Sequence, residues 1–260
     1  MKTAIVVSLG LCLELCLGSI ALAKDESDTP KKDDATWTGK TVDARGIGVT
    51  ITFDSTETPE LKDWAEKAGK IAAEWYPKID KLLASPGFSP PKTVEIRFRK
   101  DFRGLAATTG NTITIQPDWV RKHPDDVGMV IHELTHVVQQ YHGRGNKPGW
   151  LVEGIADYIR IVKYEPKAPR PRLNPDRAKY TDAYKTTAIF LEWVENKYDA
   201  ELVKKLNAAL RAGSYKEEMW KDATGKPLDD LWSEFADSLR KTKKEKVSGT
   251  NFRQPTAQPG

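Results

Sequence analysis

Two histidines four residues apart, His132 and His136, with Glu133 between them, form the group in this 260-residue chain best suited to chemistry. On a helix, residues four apart lie on one face about 6 Å apart along the axis. Two imidazoles can then converge on one Zn²⁺ at bonds of about 2.0–2.1 Å. Glu133 falls on the adjacent flank, close enough to bond a water beside the ion without binding the ion itself. Zn²⁺ lowers the pKa of such a water to about 7, and a neighbouring carboxylate can take its proton as attack begins. That is the mechanical content of H-E-x-x-H on a helix. A helix that carries these residues by coincidence is the plain alternative. Two points oppose it: the chain has only four histidines, and the flanks Val127, Met129, Val130, Ile131, Leu134, Val137 and Val138 are apolar. Burying His, Glu and His in such a helix without a partner would be costly.

A catalytic zinc takes three protein ligands and keeps one position open. His142 is one candidate for the third, because His132, His136 and His142 mimic the spacing H-E-x-x-H-x-x-G-x-x-H. Here the helix-breaking glycine of that pattern is replaced by Gln139. If the helix runs on through Tyr141, His142 lies about 600° around from His136 and faces away. Glu153, 17 residues past His136, is the other candidate. A second helix returning antiparallel would bring its carboxylate to the ion, and helix geometry favours it. Asp157, one turn on, shares its face and could accept the Nδ1–H of a ligand histidine, which fixes ring tautomer and orientation. A solvated acidic pair is the alternative, but Leu151, Val152, Ile155, Ala156 and Ile159 surround the two carboxylates. Charge developing on an attacked carbonyl needs a donor. Tyr184 and Tyr180 are the candidates, with Arg160 behind them, and each tyrosine can equally be read as a core residue with a polar tip.

These side chains need elements to hold them. Residues 1–23 read as a targeting segment: Lys2, an apolar run from Ala4 to Leu17 interrupted by Glu14, and Ala21-Leu22-Ala23 as a cleavage site. Both cysteines, Cys12 and Cys16, leave with it, and enough chain remains for one domain with a substantial core. Residues 24–40, rich in Lys, Asp, Thr and Pro, read as a disordered leader. Period-two alternation predicts strands within 42–53 (Val49, Ile51, Phe53), at 93–99 (Val94, Ile96, Phe98) and at 111–116. The last is read as a sheet edge able to bind an extended peptide, with Gly104 to Ala107 passing over the site. Helical spacing predicts a long helix over 59–83, kinked at Pro77. It predicts the histidine helix from Pro124 or Asp125 to about Tyr141, and a second helix over 150–162 carrying Glu153 and Asp157. Further helices are predicted at 180–197, 200–211, 215–222 and 227–241, followed by a frayed tail at 242–260. The domain itself is thus expected at 41–241.

The formal net charge of +4 is spread along the chain rather than blocked. The one dense basic run, Arg240 to Lys246, is terminal and mixed with Thr242 and Glu245. It reads as a solvated tail, so nucleic acid is not an expected partner. A stable membrane anchor is not expected either, since the apolar run is short and broken by Glu14.

Three stretches resemble the basic secretory protein family. They are His132 to Gln140 (H-E-L-T-H-V-V-Q-Q), Pro148 to Arg160 (P-G-W-L-V-E-G-I-A-D-Y-I-R) and, less specifically, Tyr184 to Trp193. The most specific part is Glu-Gly-Ile-Ala-Asp-Tyr, and the likeness spans roughly 42–239. The resemblance implies a zincin-like α+β fold: a small twisted sheet packed on the H-E-x-x-H helix, with a mostly helical C-terminal half. It implies a secreted zinc metallopeptidase whose ligands match His132, His136 and Glu153, with Glu133 as general base; to this the reading of the residues adds Tyr184 as the group offered to the oxyanion. The expected cofactor is Zn²⁺, the expected partner is a peptide or protein substrate, and the chain is expected to act as a monomer. Two alternatives stay open: a silent zincin-fold module that binds cell-wall or surface ligands, and a zinc hydrolase acting on cell-wall amides.

Overall fold

A computed structural model describes residues 35–42, 46, 48–142 and 144–250, with side chains to Thr242. The expected targeting segment, leader residues 24–34 and tail residues 251–260 lie outside the described residues.

Val49, Ile51 and Phe53 alternate with threonines, and so do Ile113 and Ile115, so an extended chain turns all its large apolar groups to one face. Five strands result: β1 (Thr36–Val42), β2 (Gly48–Asp54), β3 (Thr93–Phe98), β4 (Ala106–Thr109) and β5 (Thr112–Ile115). Their order in the sheet is β1-β2-β3-β5-β4. β2, β3 and β5 run parallel, and β1 and β4 flank them antiparallel. Two corrections follow. The sheet edge beside the site is β4, whereas β5, expected to be that edge, is paired on both sides. Part of the expected leader is β1, which pairs along all of β2. Its Trp37 lies across α1 (Lys62–Leu82), where a Cβ on Gly69 would come within 2.3 Å of the indole. Only a glycine lets the ring settle there.

α1 makes the parallel crossover from β2 to β3 and buries Ala65, Ala68, Ala72, Tyr76 and Ile79. The helix continues past Pro77 to Leu82. After the short α2 (Pro117–Lys122), α3 (Gly128–Gln139) lies against α1 and the β4–β5 hairpin, almost wholly buried. α4 (Gly149–Asp157) follows, and the chain then widens into a π-helical turn, Tyr158–Tyr164, where a continuous α-helix was expected. The expected 180–197 helix is broken: a 3-10 turn (Tyr180–Asp182) is separated from α5 (Tyr184–Lys197) by left-handed backbone at Ala183 and Tyr184. α6 (Leu202–Ala212), α7 (Glu218–Thr224) and α8 (Leu228–Thr250) complete the helical half. α8 runs well past Lys241, its expected end. Phe190 sits at the centre of this half, with ring centroids of Trp220, Trp232 and Phe235 at 5.7, 5.2 and 5.6 Å. The α+β architecture is therefore a small mixed sheet on the histidine helix, with a mainly helical C-terminal half.

Candidate metal centre

The apolar residues of α3 face inward all round, so its histidines are carried into the interior at the floor of a cleft of about 1020 Å³. β4 forms one wall, and α4 with the start of α5 the other. His132 and Glu133 are 8% and 7% exposed. α3 stops at Gln139 because Gln140 turns left-handed, with φ 46°. Its side-chain amide donates to Val137 O at 2.8 Å and Gly110 O at 3.1 Å. The short connection that follows lets α4 return alongside α3. Gly154 brings α5 equally close, since a Cβ there would meet Thr187 Cγ2 at 2.2 Å.

His132 Nε2 lies 3.2 Å from His136 Nε2 and 3.2 Å from Glu153 Oε2, and His136 Nε2 lies 3.4 Å from the same oxygen. An ion bound tetrahedrally at 2.0–2.1 Å separates its ligand atoms by about 3.3–3.4 Å. Three ligand atoms therefore stand at the corners of a triangle of zinc size, and no other such group of three occurs among the described residues. The outer ring nitrogens are also engaged. His132 Nδ1 bonds Asp157 Oδ1 at 2.7 Å, and His136 Nδ1 bonds Gln139 Oε1 at 2.7 Å. Both rings thus turn Nε2 inward, as a metal centre requires. The donor set fits Zn²⁺.

The same contacts set the charges of the metal-free site. Burial opposes charge on His132, but hydrogen bonds to Asp157 and Glu153 outweigh it and push the imidazole up to about 9. Burial also raises Glu153, yet bonds to both histidines bring its carboxyl down to about 2. Glu133 stands outside the triangle. Thr108 of β4 directs its hydroxyl at Glu133 Oε2 (2.7 Å), with Glu133 O at 3.0 Å as a second acceptor.

The other sequence candidates separate. His142 lies at the cleft margin, exposed, its Nε2 on the Gln140 side chain and away from the triangle. Tyr180 is directed elsewhere: its hydroxyl donates to Asp229 Oδ1 at 2.9 Å and its ring packs on Trp150 at 4.9 Å. Tyr184 is 51% exposed and stacks over His132 with centroids 6.1 Å apart, so its hydroxyl belongs to the cleft. The negative charge of Glu153, and burial after it, raises its phenol. Arg160 lines the cleft and donates to Asp126 Oδ1 at 2.7 Å. Gln139 and Thr108 were not singled out as site residues by sequence reasoning. For Gln139 the signal existed, since 132, 136 and 139 fall on one helical face.

Beyond the chain itself, a family model described as peptidase of plants and bacteria matches residues 65–235. No curated protein matches. Among solved structures, the M1 zinc metallopeptidase from Deinococcus radiodurans is similar at 12% identity and a TM-score of 0.46, covering 78% of this chain and 50% of that one. A mutant of the same enzyme bound to a Tyr-Ser-Ala substrate gives 16% identity and a TM-score of 0.44, covering 79% and 50%. The chain thus spans about half the length of these structures.

Proposed function

Because this chain belongs to the basic secretory protein family, the peptidases of plants and bacteria, we propose that it is an exported, monomeric zinc metallopeptidase that hydrolyses peptide bonds in its cleft. The observation that carries this reading is the zinc-sized triangle of His132, His136 and Glu153 with Glu133 beside it but outside it. When bound, the zinc ion supplies Lewis acidity, polarising the scissile carbonyl and making a water acidic enough to lose its proton near neutral pH.

The remaining work falls to the chain. β4 pairs with β5 along one edge only. Ala106 and Thr108 alternate with the residues bonded to β5, so their N–H and C=O groups point to the open side, where an extended substrate can add as a strand. Substrate held there lies along α3 and beneath Tyr184. Glu133 takes the proton of the attacking water and returns it to the leaving amine, a role that contributes typically about 10²–10⁴-fold. The Thr108 hydroxyl holds that carboxylate towards the cleft. Tyr184 donates its phenolic hydrogen to the oxygen on which charge develops.

The test is cleavage of a diverse peptide library by the purified chain, with Glu133→Gln as the blank. Cleavage by wild type, lost with chelator, restored by zinc and reduced at least about 10²-fold in the blank, supports the reading. A folded, zinc-binding wild type that cuts nothing sinks it, and cell-wall amides are then the substrates to try.

A further inference from the structure

We infer that Gln139 is a positioning residue of the metal centre, whose side-chain amide fixes the orientation and tautomer of His136. The inference rests on the zinc reading above and extends it to a residue outside the ligand set.

Gln139 ends α3, three residues after His136, and is only 2% exposed. Its Nε2 donates to Val152 O at 3.1 Å, the carbonyl immediately before Glu153. That bond decides which end of the amide is which, because a carbonyl can be met only by the NH₂ group. Oε1 therefore faces His136 Nδ1, at 2.7 Å, and must accept a hydrogen from it. With Nδ1 carrying the hydrogen, the lone pair of His136 lies on Nε2, which is the atom in the triangle. One amide thus sets the tautomer of one ligand and tethers the chain beside another. The two histidines are held unlike each other, His132 by the Asp157 carboxylate and His136 by a neutral amide.

Gln139 is itself held. Arg211 of α6 donates from Nε to Gln139 O at 3.1 Å, from one terminal nitrogen to Val138 O at 2.9 Å and from the other to Leu83 O at 3.0 Å. Its guanidinium lies 3.6 Å from the centre of the Phe88 ring. A cation on the last carbonyls of α1 and α3 sits where both helix dipoles favour it. Arg211 thus ties the end of α3 to the end of α1.

Two variants separate positioning from packing. Gln139→Met has nearly the same shape and makes neither bond; Gln139→Glu keeps an acceptor for His136 but cannot donate to Val152. Both should lower the thermal midpoint of the metal-free protein. Only the Met variant should bind zinc at least about tenfold more weakly in competition with a chelator, the range seen when such outer bonds are lost. Recovery of that loss in Gln139→Glu supports the inference. A loss below tenfold in the Met variant, or an equal loss in both, overturns it. If the Met variant does not fold, nitrogen NMR of metal-free wild type decides, since there no ion fixes the tautomer. A hydrogen on His136 Nδ1 supports the inference, and a hydrogen on Nε2 overturns it. Wild-type protein that binds no zinc overturns the zinc reading beneath it; zinc binding that is equal in wild type and the Met variant overturns only this inference.

Discussion

At the scale of single residues, the site divides into groups that face the triangle and groups that aim them. Asp157 aims His132, and Asp157→Asn replaces a charged acceptor by a neutral one. Zinc affinity should fall about 10–100-fold while the metal-free fold persists, measured by chelator competition. Unchanged affinity would show that the carboxylate does no aiming. His132, Glu133 and His136 were legible in the sequence because helical periodicity turns spacing directly into geometry. Glu153 was legible more weakly, since its place depends on the loop bringing α4 back antiparallel, and nothing local dictates that angle. Tyr180 and Tyr184 could not be told apart, because the break between them is made by Ala183 and Tyr184 rather than by a glycine or proline. Thr108 gave no signal: in Ala106-Ala107-Thr108-Thr109 the alternation of large apolar and polar side chains that marks a strand is missing.

At the scale of elements, the break before α5 carries a cost that can be measured. Ala183 has φ 62° and ψ −170°, a region occupied almost only by glycine, at a cost of about 1–3 kcal/mol. Ala183→Gly should therefore stabilise the fold by about 1 kcal/mol, raising the thermal midpoint by about 2–4 °C. A lower midpoint would mean that the alanine methyl packs better than the backbone suffers. The joint between α5 and α8 makes a pH prediction. Hydrogen bonds from Lys197, Lys226 and Tyr198 hold Glu234 down to about 2, against an ordinary value of 4.5. Its folded value is depressed, so the stability it contributes is present above about 4.5 and lost as pH falls through about 2. Both lysines are about half exposed, so screening limits the contribution to at most about 1 kcal/mol. Wild type should melt above Glu234→Gln at pH 7, and the gap should close near pH 2. A constant gap would contradict the ion-pair account. Strands β2, β3 and β5 were legible from alternation, whereas β1 was masked by its polar residues and depends on Trp37 finding Gly69. The π-helical turn at Tyr158–Tyr164 was illegible, since one extra residue per turn leaves the apolar run unchanged.

At the scale of the whole molecule, an ion held between α3 and α4 should stabilise everything packed on them. At zinc one hundred times its dissociation constant the gain is about 2.7 kcal/mol, worth about 5–11 °C in the midpoint for a chain of this size. A scan with and without chelator measures it, and no shift would mean the native protein does not bind the ion. Within the described residues no helix is long and apolar enough to cross a membrane. The three ligands and the side chains hydrogen-bonded to them all fall between His132 and Asp157, while the cleft wall opposite them comes from β4, on the far side of α2 in the chain. In a denatured chain His136 and Glu153 are still only seventeen positions apart. Closing so short a loop sacrifices little chain freedom, whereas pairing β2 with β3 needs all of α1 to cross first. A bound ion would therefore fasten α3 to α4 across a loop shorter than the crossover that pairs β2 with β3.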